Sequence, residues 1–544
     1  MAQAGGSLEV ELELPDPGYT RFGESIAHAG DLNLDGIPDI LVGAPRADSP
    51  TRTRTGAVRA YSGTDGQLLF EWFGETKEGR FGESVASAGD FDGDGFPDIL
   101  VGAPKEESFT PPRNAGAVWI YSGQNGALLQ RLNGGEDGDR FGKAIAGGSD
   151  FNQDGVLDIV IGAPGKFIDG LGPVGSVSVF SGSDGALLHE WYGRFNGDRF
   201  GNTLAIAGDV DADGVDDIII GVPTATPNLA VEAGSAFVYS GRDGTLIHQW
   251  HGSKFLDNLG RSVAGAGDID QDGHADLIVG IPGKDTADEY SVGQVNVYSG
   301  RDGSIVYSWQ GLSRTEFLGT SVASVGDVNG DAIPDVLYCG QVDRISGRDD
   351  GKWLLRSGAD GHLLKTRTMD AAVRFKGLIA ASLPSYLPSG RGSFLISAPR
   401  DWNTTGLVTL FHFDSFLTTN QTEVSASQGA VLQFNLDFPD EAAHFDYKIL
   451  MSASGFGPSN HGVNIPLTQD FYTWSTYLGN YPFPNAGEMQ GSLDHEARAS
   501  VNLQIAPGLP ASLIGSQFQL AAIAMPGTVQ AHYSSSAHSL TITP

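Results

Sequence analysis

A dipeptide that returns at a nearly constant interval limits this chain to very few folds. Phe22-Gly23, Phe81-Gly82, Phe141-Gly142, Phe200-Gly201, Leu259-Gly260 and Leu318-Gly319 are spaced 59, 60, 59, 59 and 59 residues apart. Lys376-Gly377 follows 58 residues later as a worn seventh copy. A second marker, Ser-Gly, ends at Gly63, Gly123, Gly182, Gly241, Gly300 and Gly358 and keeps the same register. Two markers in step identify a tandem repeat, and the period is nearest to the ~40–50 residues of propeller blades. Each unit reads as four short strands. In the second copy these are 81–88, 98–103, 116–122 and 127–132. Ile99-Leu100-Val101 is apolar without alternation, as a strand buried on both faces requires. Asp65-Gly66, Asn125-Gly126, Asp184-Gly185 and Asp243-Gly244 lie between the third and fourth strands and predict tight hairpins with positive φ. The expected fold is all-β, a seven-bladed β-propeller of four-stranded blades. The seventh copy lacks its last strand, and the orphan stretch 7–14 is expected to supply it, closing the ring and removing free sheet edges.

Between the first and second strands of six copies lies a nine-residue loop with oxygen-bearing side chains at positions 1, 3, 5 and 9. The loops carry Asp31, Asn33, Asp35 and Asp39; Asp90, Asp92, Asp94 and Asp98; Asp150, Asn152, Asp154 and Asp158. The other three carry Asp209, Asp211, Asp213 and Asp217; Asp268, Asp270, Asp272 and Asp276; Asp327, Asn329, Asp331 and Asp335. Hard cations such as calcium take six to eight oxygens, which alternate residues of a tight turn can direct at one ion. Position 7, occupied by Ile37, Phe96, Val156, Val215, His274 and Ile333, would add a backbone carbonyl. Glycine at position 6 permits the bend, except in the sixth loop, where Ala332 replaces it. An EF-hand needs a bidentate Glu at position 12, but Val42, Val101, Ile161, Ile220, Val279 and Tyr338 stand there. The expectation is up to six calcium ions. The formal charge of −33 points the same way, since six divalent ions would bring it to about −21.

With the Asp loop, Phe-Gly and the Gly-Ala-Pro triplets at 43–45, 102–104 and 162–164, the chain resembles the FG-GAP repeats of the integrin α-subunit propeller. The resemblance covers 7–414. It implies calcium in the loops on one face and ligands on the opposite face, built from second-to-third and fourth-to-first connections. The chain is expected to depart from integrins in bearing six metal loops and in lacking their leg, membrane span and cytoplasmic tail. On the expected ligand face, variable loops supply Arg46, Arg52, Arg54, Phe109, Phe167, Tyr290 and Trp402 as candidate contacts. Trp72, Trp191, Trp250 and Trp309 recur at the repeat register and are expected to pack blades.

No catalytic constellation is evident. His189, His248, His251 and His274 pair with no recognisable nucleophile, and Gly170-x-Gly172-x-x-Gly175 is interrupted by Pro173 with no helix after it. Cys339, the only cysteine, reads as a small core thiol. Residues 415–544 lose the register and carry short apolar stretches at 431–438, 447–452, 499–505 and 518–524, which predict a β-sandwich, immunoglobulin-like in kind. The acidic balance disfavours nucleic acid, and no apolar run reaches the ~18–20 residues of a membrane span. Low-affinity calcium loops suit the extracellular medium, and Met1 to Gly6 reads as a start codon set before a mature, exported sequence. The sequence therefore predicts a secreted or cell-surface, bacterial adhesion module with a protein or glycan partner. The alternative is a polysaccharide lyase, hydrolase or lectin working on the propeller face.

Overall fold

A computed structural model describes residues 3–15, 20–107, 114–329, 331, 333–342, 350–368, 378–383, 392–399 and 406–415, and strands of the C-terminal part between 417 and 543. Six four-stranded antiparallel sheets follow one another in chain order. Blade 1 comprises Ser25–Gly30, Asp39–Ala44, Ala57–Tyr61 and Leu68–Phe73. Blade 2 comprises Ser84–Gly89, Asp98–Ala103, Ala117–Tyr121 and Leu128–Asn133. Blades 3 to 6 repeat the order, starting at Ala144–Ser149, Thr203–Gly208, Val263–Gly267 and Ser321–Ser324. The seventh blade joins Ile379–Leu383, Gly392–Ala398 and Leu407–Ser415 to the N-terminal strand Gln3–Pro15. That strand runs antiparallel to Leu407–Ser415, from Gly6 opposite Ser415 to Pro15 opposite Leu407. The ring is thus closed by a strand far away in sequence, and the protein is a seven-bladed propeller. The worn marker Lys376-Gly377 lies outside the described residues.

Both halves of the repeat signature serve the junction between blades. A Cβ on Gly43 would lie 2.1 Å from the carbonyl oxygen of Gly82, so the Gly of one blade's triplet lets the Phe-Gly of the next approach. Ser25 Oγ donates to that same carbonyl at 2.9 Å, and Ser84, Thr203 and Ser262 donate to Gly142, Gly260 and Gly319 in the same way. The device recurs across the closure, where the Ser397 hydroxyl donates to the Gly23 carbonyl. The core is divided among the seams: Leu41, Val58 and Trp72 of blade 1 pack with Phe81, Val101 and Trp119 of blade 2. At the closing seam Leu395, Val408 and Leu410 pack with Phe22, Ile40 and Val42, and Leu14 joins them from the N-terminal strand.

The hairpins between third and fourth strands carry the expected positive φ, but they are longer than a two-residue turn. Among Ser62 to Gln67 only Gly66 has positive φ, the Gly66 N–H donates to the Ser62 carbonyl at 2.9 Å, and the register slips between Ala60 and Tyr61. A two-residue type I′ turn would need positive φ at both central residues. Here Asp65 instead accepts the Gln67 N–H on its side chain at 2.9 Å, and a bulge absorbs the extra residue.

The recurrent tryptophans do tie blades together. Trp72, Trp191 and Trp250 each donate from Nε1 to the turn carbonyl of the next blade, Gly126, Gly244 and Gly303, at 2.9, 2.9 and 3.0 Å. Trp309 stacks on Tyr338 of blade 6 with ring centroids 5.5 Å apart.

Beyond the propeller, Ala430–Asp437 pairs with Leu417–Thr419 and Arg498–Ile505. Asp446–Ser452 pairs with Gln517–Met525 in a separate sheet. This second sheet continues blade 7, because Gln3 to Gly5 run parallel to Tyr533 to Ser535.

Candidate metal centres in the interstrand loops

In blades 1 to 5 the loop begins where the first strand breaks its register. In blade 1 the slip falls between His28 and Gly30, and Gly30, at φ +76°, turns the chain into the loop. Position 9 starts the second strand in blades 1 to 5 and directly precedes it in blade 6, so its carboxylate is carried on or beside a rigid element. Asp39, Asp98, Asp158, Asp217, Asp276 and Asp335 are all fully buried.

The position-9 carboxylate is a strut in every loop. One oxygen accepts the backbone N–H of position 2: Leu32 at 2.7, Phe91 at 2.8, Phe151 at 2.8, Val210 at 2.7, Ile269 at 2.8 and Val328 at 3.0 Å. The other accepts the N–H of the Ser-Gly marker of the same blade, Gly63 in blade 1 at 3.0 Å and Gly358 in blade 6 at 3.0 Å. This bond explains why the two markers and the loop keep step. Burial pushes these acids up, Asp39 and Asp276 to about 6 and Asp217 to about 7.

Positions 1 and 5 fold the loop on itself. Asp31 accepts the N–H groups of Asp35 and Gly36 at 3.1 and 2.8 Å, and Asp35 accepts that of Ile37 at 2.9 Å. The same bonds recur around Asp150, Asp209 and Asp268. Gly36, Gly95, Gly155, Gly214 and Gly273 hold φ between +86° and +90°, as expected at position 6. Position 4 is also left-handed, and there Leu34, Gln153, Ala212 and Gln271 accept it without being glycine.

Three loops bring carboxylates into one cluster: Asp90, Asp92 and Asp94; Asp209, Asp211 and Asp217; Asp268, Asp270 and Asp276. In each, one oxygen per residue lies within 4.8 Å of the others. These are the loops with Asp at position 3. Where Asn stands there, Asn33 and Asn152 donate from Nδ2 to Asp35 and Asp154 at 3.0 Å, so an amide N–H partly neutralises the acid. Hard oxygens held this close repel one another unless a cation lies among them, and the donor set fits calcium. The sixth loop is the most enclosed. Asn329, Asp331 and Asp335 are buried, and burial together with Asp327 pushes Asp331 up to about 7. Ala332 lies outside the described residues.

Residues after the Ser-Gly marker were missed by sequence reasoning. Thr64 and Ser183 donate to position 5, Asp35 and Asp154, at 2.7 Å in both cases, and Arg242 Nε pairs with Asp213 at 2.8 Å. Their constant offset from the marker was the available signal. The loops also touch one another. His274 Nδ1 lies 2.7 Å from the Val210 carbonyl of the neighbouring loop, and Ser149 Oγ donates to Asp216 at 2.7 Å.

Among the other candidates, Arg54 pairs with Glu78 at 2.9 Å and Arg52 donates to the Glu75 carbonyl at 2.6 Å, so both brace loops. Arg46 is held through its backbone N–H, which donates to the Thr20 carbonyl at 3.0 Å. Phe167 and Tyr290 are exposed, Tyr290 beneath the Arg314 guanidinium. Phe109 and Trp402 lie outside the described residues. His189 and His248 bond the Gly241 and Gly300 carbonyls of the next blade. Contrary to expectation, His251 has a hydroxyl partner: its Nδ1 lies 2.8 Å from Ser235 Oγ, because the two face each other across adjacent strands. Ser235 is buried there. The glycine triplet at 170–175 sits on a small hairpin, Phe167–Ile168 with Gly172–Pro173.

Comparison with known proteins agrees with this geometry. The FG-GAP repeat family matches residues 22–61, 81–121, 141–180 and 200–239, and the FG-GAP-like repeat family matches 268–338. Integrin alpha-V of Gallus gallus is 35% identical over 220 residues, 38% of this chain and 20% of its own length. Integrin alpha-5 of Xenopus laevis is 34% identical over 241 residues, 42% of this chain and 21% of its own length. Integrin alpha-4 of Xenopus laevis is 38% identical over 154 residues, 26% of this chain and 14% of its own length. The chain thus spans about a fifth or less of the length of these relatives. No helix among the described residues is long and apolar enough to cross a membrane. Repeat signature, loop frame and sequence likeness converge, and the chain is an integrin-α-like FG-GAP repeat protein.

Proposed function

We propose that this protein is a secreted, calcium-stabilised recognition module that binds a protein or glycan partner outside the cell, on the face opposite the metal loops. The observation that carries the reading is the convergence of three carboxylates within 4.8 Å in the second, fourth and fifth loops. Calcium fills these three sites most tightly, because ligand charge sets affinity. The loops with Asn33, Asn152 and Asn329 bind more weakly, bringing the total to six. Position 7 contributes its carbonyl in each. Since neighbouring loops touch, each ion stiffens the next junction, and the ring presents its opposite face as a rigid platform. Millimolar calcium outside the cell fills such sites, which suits an exported bacterial protein. Likeness to integrin α-subunits supports adhesion as the biological setting. Residues 7–414 form the propeller, and 415–544 form a β-sandwich that extends from blade 7.

Titration calorimetry of chelator-treated protein with calcium tests this reading. Two classes of site and a calcium-dependent rise in melting temperature are expected. Failure to retain calcium, with an unchanged melting curve, overturns it.

A further inference from the structure

On the face opposite the metal loops, the residue before each Phe-Gly is Arg in four consecutive repeats. In the first two the residue after Phe-Gly is Glu, giving Arg21-Phe-Gly-Glu24 and Arg80-Phe-Gly-Glu83, and in each the Arg pairs with its Glu, at 3.5 and 3.0 Å. In the third and fourth repeats the partner is replaced, giving Arg140-Phe-Gly-Lys143 and Arg199-Phe-Gly-Asn202. Lys143 turns back to Glu83 at 3.0 Å. Arg140 and Arg199 are exposed and make no ion pair among the described residues. Lys105, from the second-to-third loop of blade 2, also lacks one among the described residues; burial, Arg80 and Arg140 lower its pKa, and the nearby Glu83 and Glu78 offset them only in part. In a chain of net charge −33, three cations on one surface with no ion pair among the described residues are out of character.

They are not scattered. Lys105, Arg140 and Arg199 line one cavity of about 450 Å³, with Asn114, Asp137 and Phe167 among its other walls. That size lies within the ~300–1,000 Å³ of small-ligand sites. Its frame is rigid: the Arg140 N–H donates to Asn114 at 3.2 Å, Gly165 to Asp139 at 2.9 Å and Gly197 to Pro173 at 2.9 Å. A Cβ on Gly165 would meet the Gly138 carbonyl oxygen at 1.8 Å, so the walls close to backbone contact. Phe167 brings an exposed aromatic ring to the same cavity.

We propose that this cavity, bridging blades 2 to 4, binds an acidic saccharide, its carboxylate or sulfate held by Lys105, Arg140 and Arg199 and its ring set against Phe167. Guanidinium forks match the planar or tetrahedral oxyanion, and an aromatic face suits the apolar face of a pyranose. Among the described residues the pocket is concave, mostly polar and has one aromatic wall, which favours a sugar unit over an acidic peptide that would need further apolar anchors or a free strand edge. The inference rests on reading the protein as an extracellular recognition module and names its ligand class.

The test is calorimetric binding of the full chain in calcium to an oligogalacturonate, a heparin-derived oligosaccharide, a neutral oligosaccharide of equal length and a poly-glutamate peptide. Binding to one or both acidic saccharides, but not to the neutral one, is expected, with affinity falling as salt rises. Binding to the oligogalacturonate shows that carboxylate suffices, and binding to the heparin-derived oligosaccharide alone shows that sulfate is required. Arg140→Gln and Arg199→Gln should each weaken binding at least ~10-fold, while Arg314→Gln leaves it unchanged. Unchanged melting curves for the variants show that loss of binding is local. Phe167→Ala should weaken saccharide binding and leave poly-glutamate unaffected. Absence of acidic saccharide binding, equal binding of poly-glutamate, or insensitivity to both Arg substitutions overturns the proposal. Saccharide binding without any calcium effect on stability would defeat the metal reading and leave this site standing. Calcium stabilisation without saccharide binding would do the reverse.

Discussion

Asp276 and Asp270 lie six residues apart in one loop and converge in one cluster, yet the structure gives them different work. Asp276 is fully buried and accepts the N–H groups of Ile269 at 2.8 Å and Gly300 at 3.0 Å, both at buried positions. Asp276→Ala strands two buried donors, each costing about 1–3 kcal/mol. Removing the carboxyl also relieves a buried charge that burial and Asp270 push up to about 6. Two such donors together cost about 2–6 kcal/mol, and the net loss lies in the lower half of that span, about 3 kcal/mol, and persists in chelator. Asp270 is exposed, so Asp270→Ala in chelator should change stability by no more than ~0.5 kcal/mol. In calcium at 100 times the dissociation constant, a filled site adds about 2.7 kcal/mol, and both variants forfeit it there. Urea unfolding of the wild type and both variants, with and without chelator, gives the four differences. Equal costs for the two variants in chelator, or a cost for Asp270→Ala that ignores calcium, would refute the division between strut and ligand.

Removing residues 1–15 bares the edge of Leu407–Ser415 and takes Leu14 out of the closing seam. The truncated chain should associate through that edge in sedimentation experiments, and a monomer of unchanged stability would contradict the closure. Cys339 is wholly buried between blades 6 and 7, and burial pushes its thiol pKa far up. It should react with a thiol reagent only as urea unfolds the chain, and rapid labelling of the native protein would show that seam open. Burial would raise the pKa of Glu83, but Lys143 and Arg80 outweigh it and hold the acid below its usual 4.5. The stability this contributes is present above that value and lost as pH falls through the folded pKa. Glu83→Gln should flatten the acid limb of the stability profile, and an unaltered limb would assign the acid sensitivity elsewhere.

Much of this protein is legible without coordinates because its information is repeated. A spacing near 59 residues, copied along the chain, is a statement about blades, and the second strand of the second copy, Asp98–Ala103, ends where its apolar run does. Oxygen side chains at fixed offsets likewise declare a cation loop, since side-chain chemistry and local turn geometry suffice to converge them. Single-position facts did not carry through. Positive φ at Gly66 was foreseen, but not the bulge that follows, because the strand twist on both sides decides the turn.

What tertiary structure alone decided is how residues distant along the chain are used. Position 9 looked like one ligand among several, yet burial against the Ser-Gly hairpin of its own blade makes it the strut of the loop. Arg54, conspicuous in an acidic sequence, pairs with Glu78, while Arg140 and Arg199, unremarked in the same sequence, make no ion pair among the described residues. The composition counts charges, but only the folded ring sets the distances between them, and Coulomb energy depends on distance. A repeat can therefore write its own architecture into sequence, whereas the differences between its copies acquire meaning only after the ring has closed.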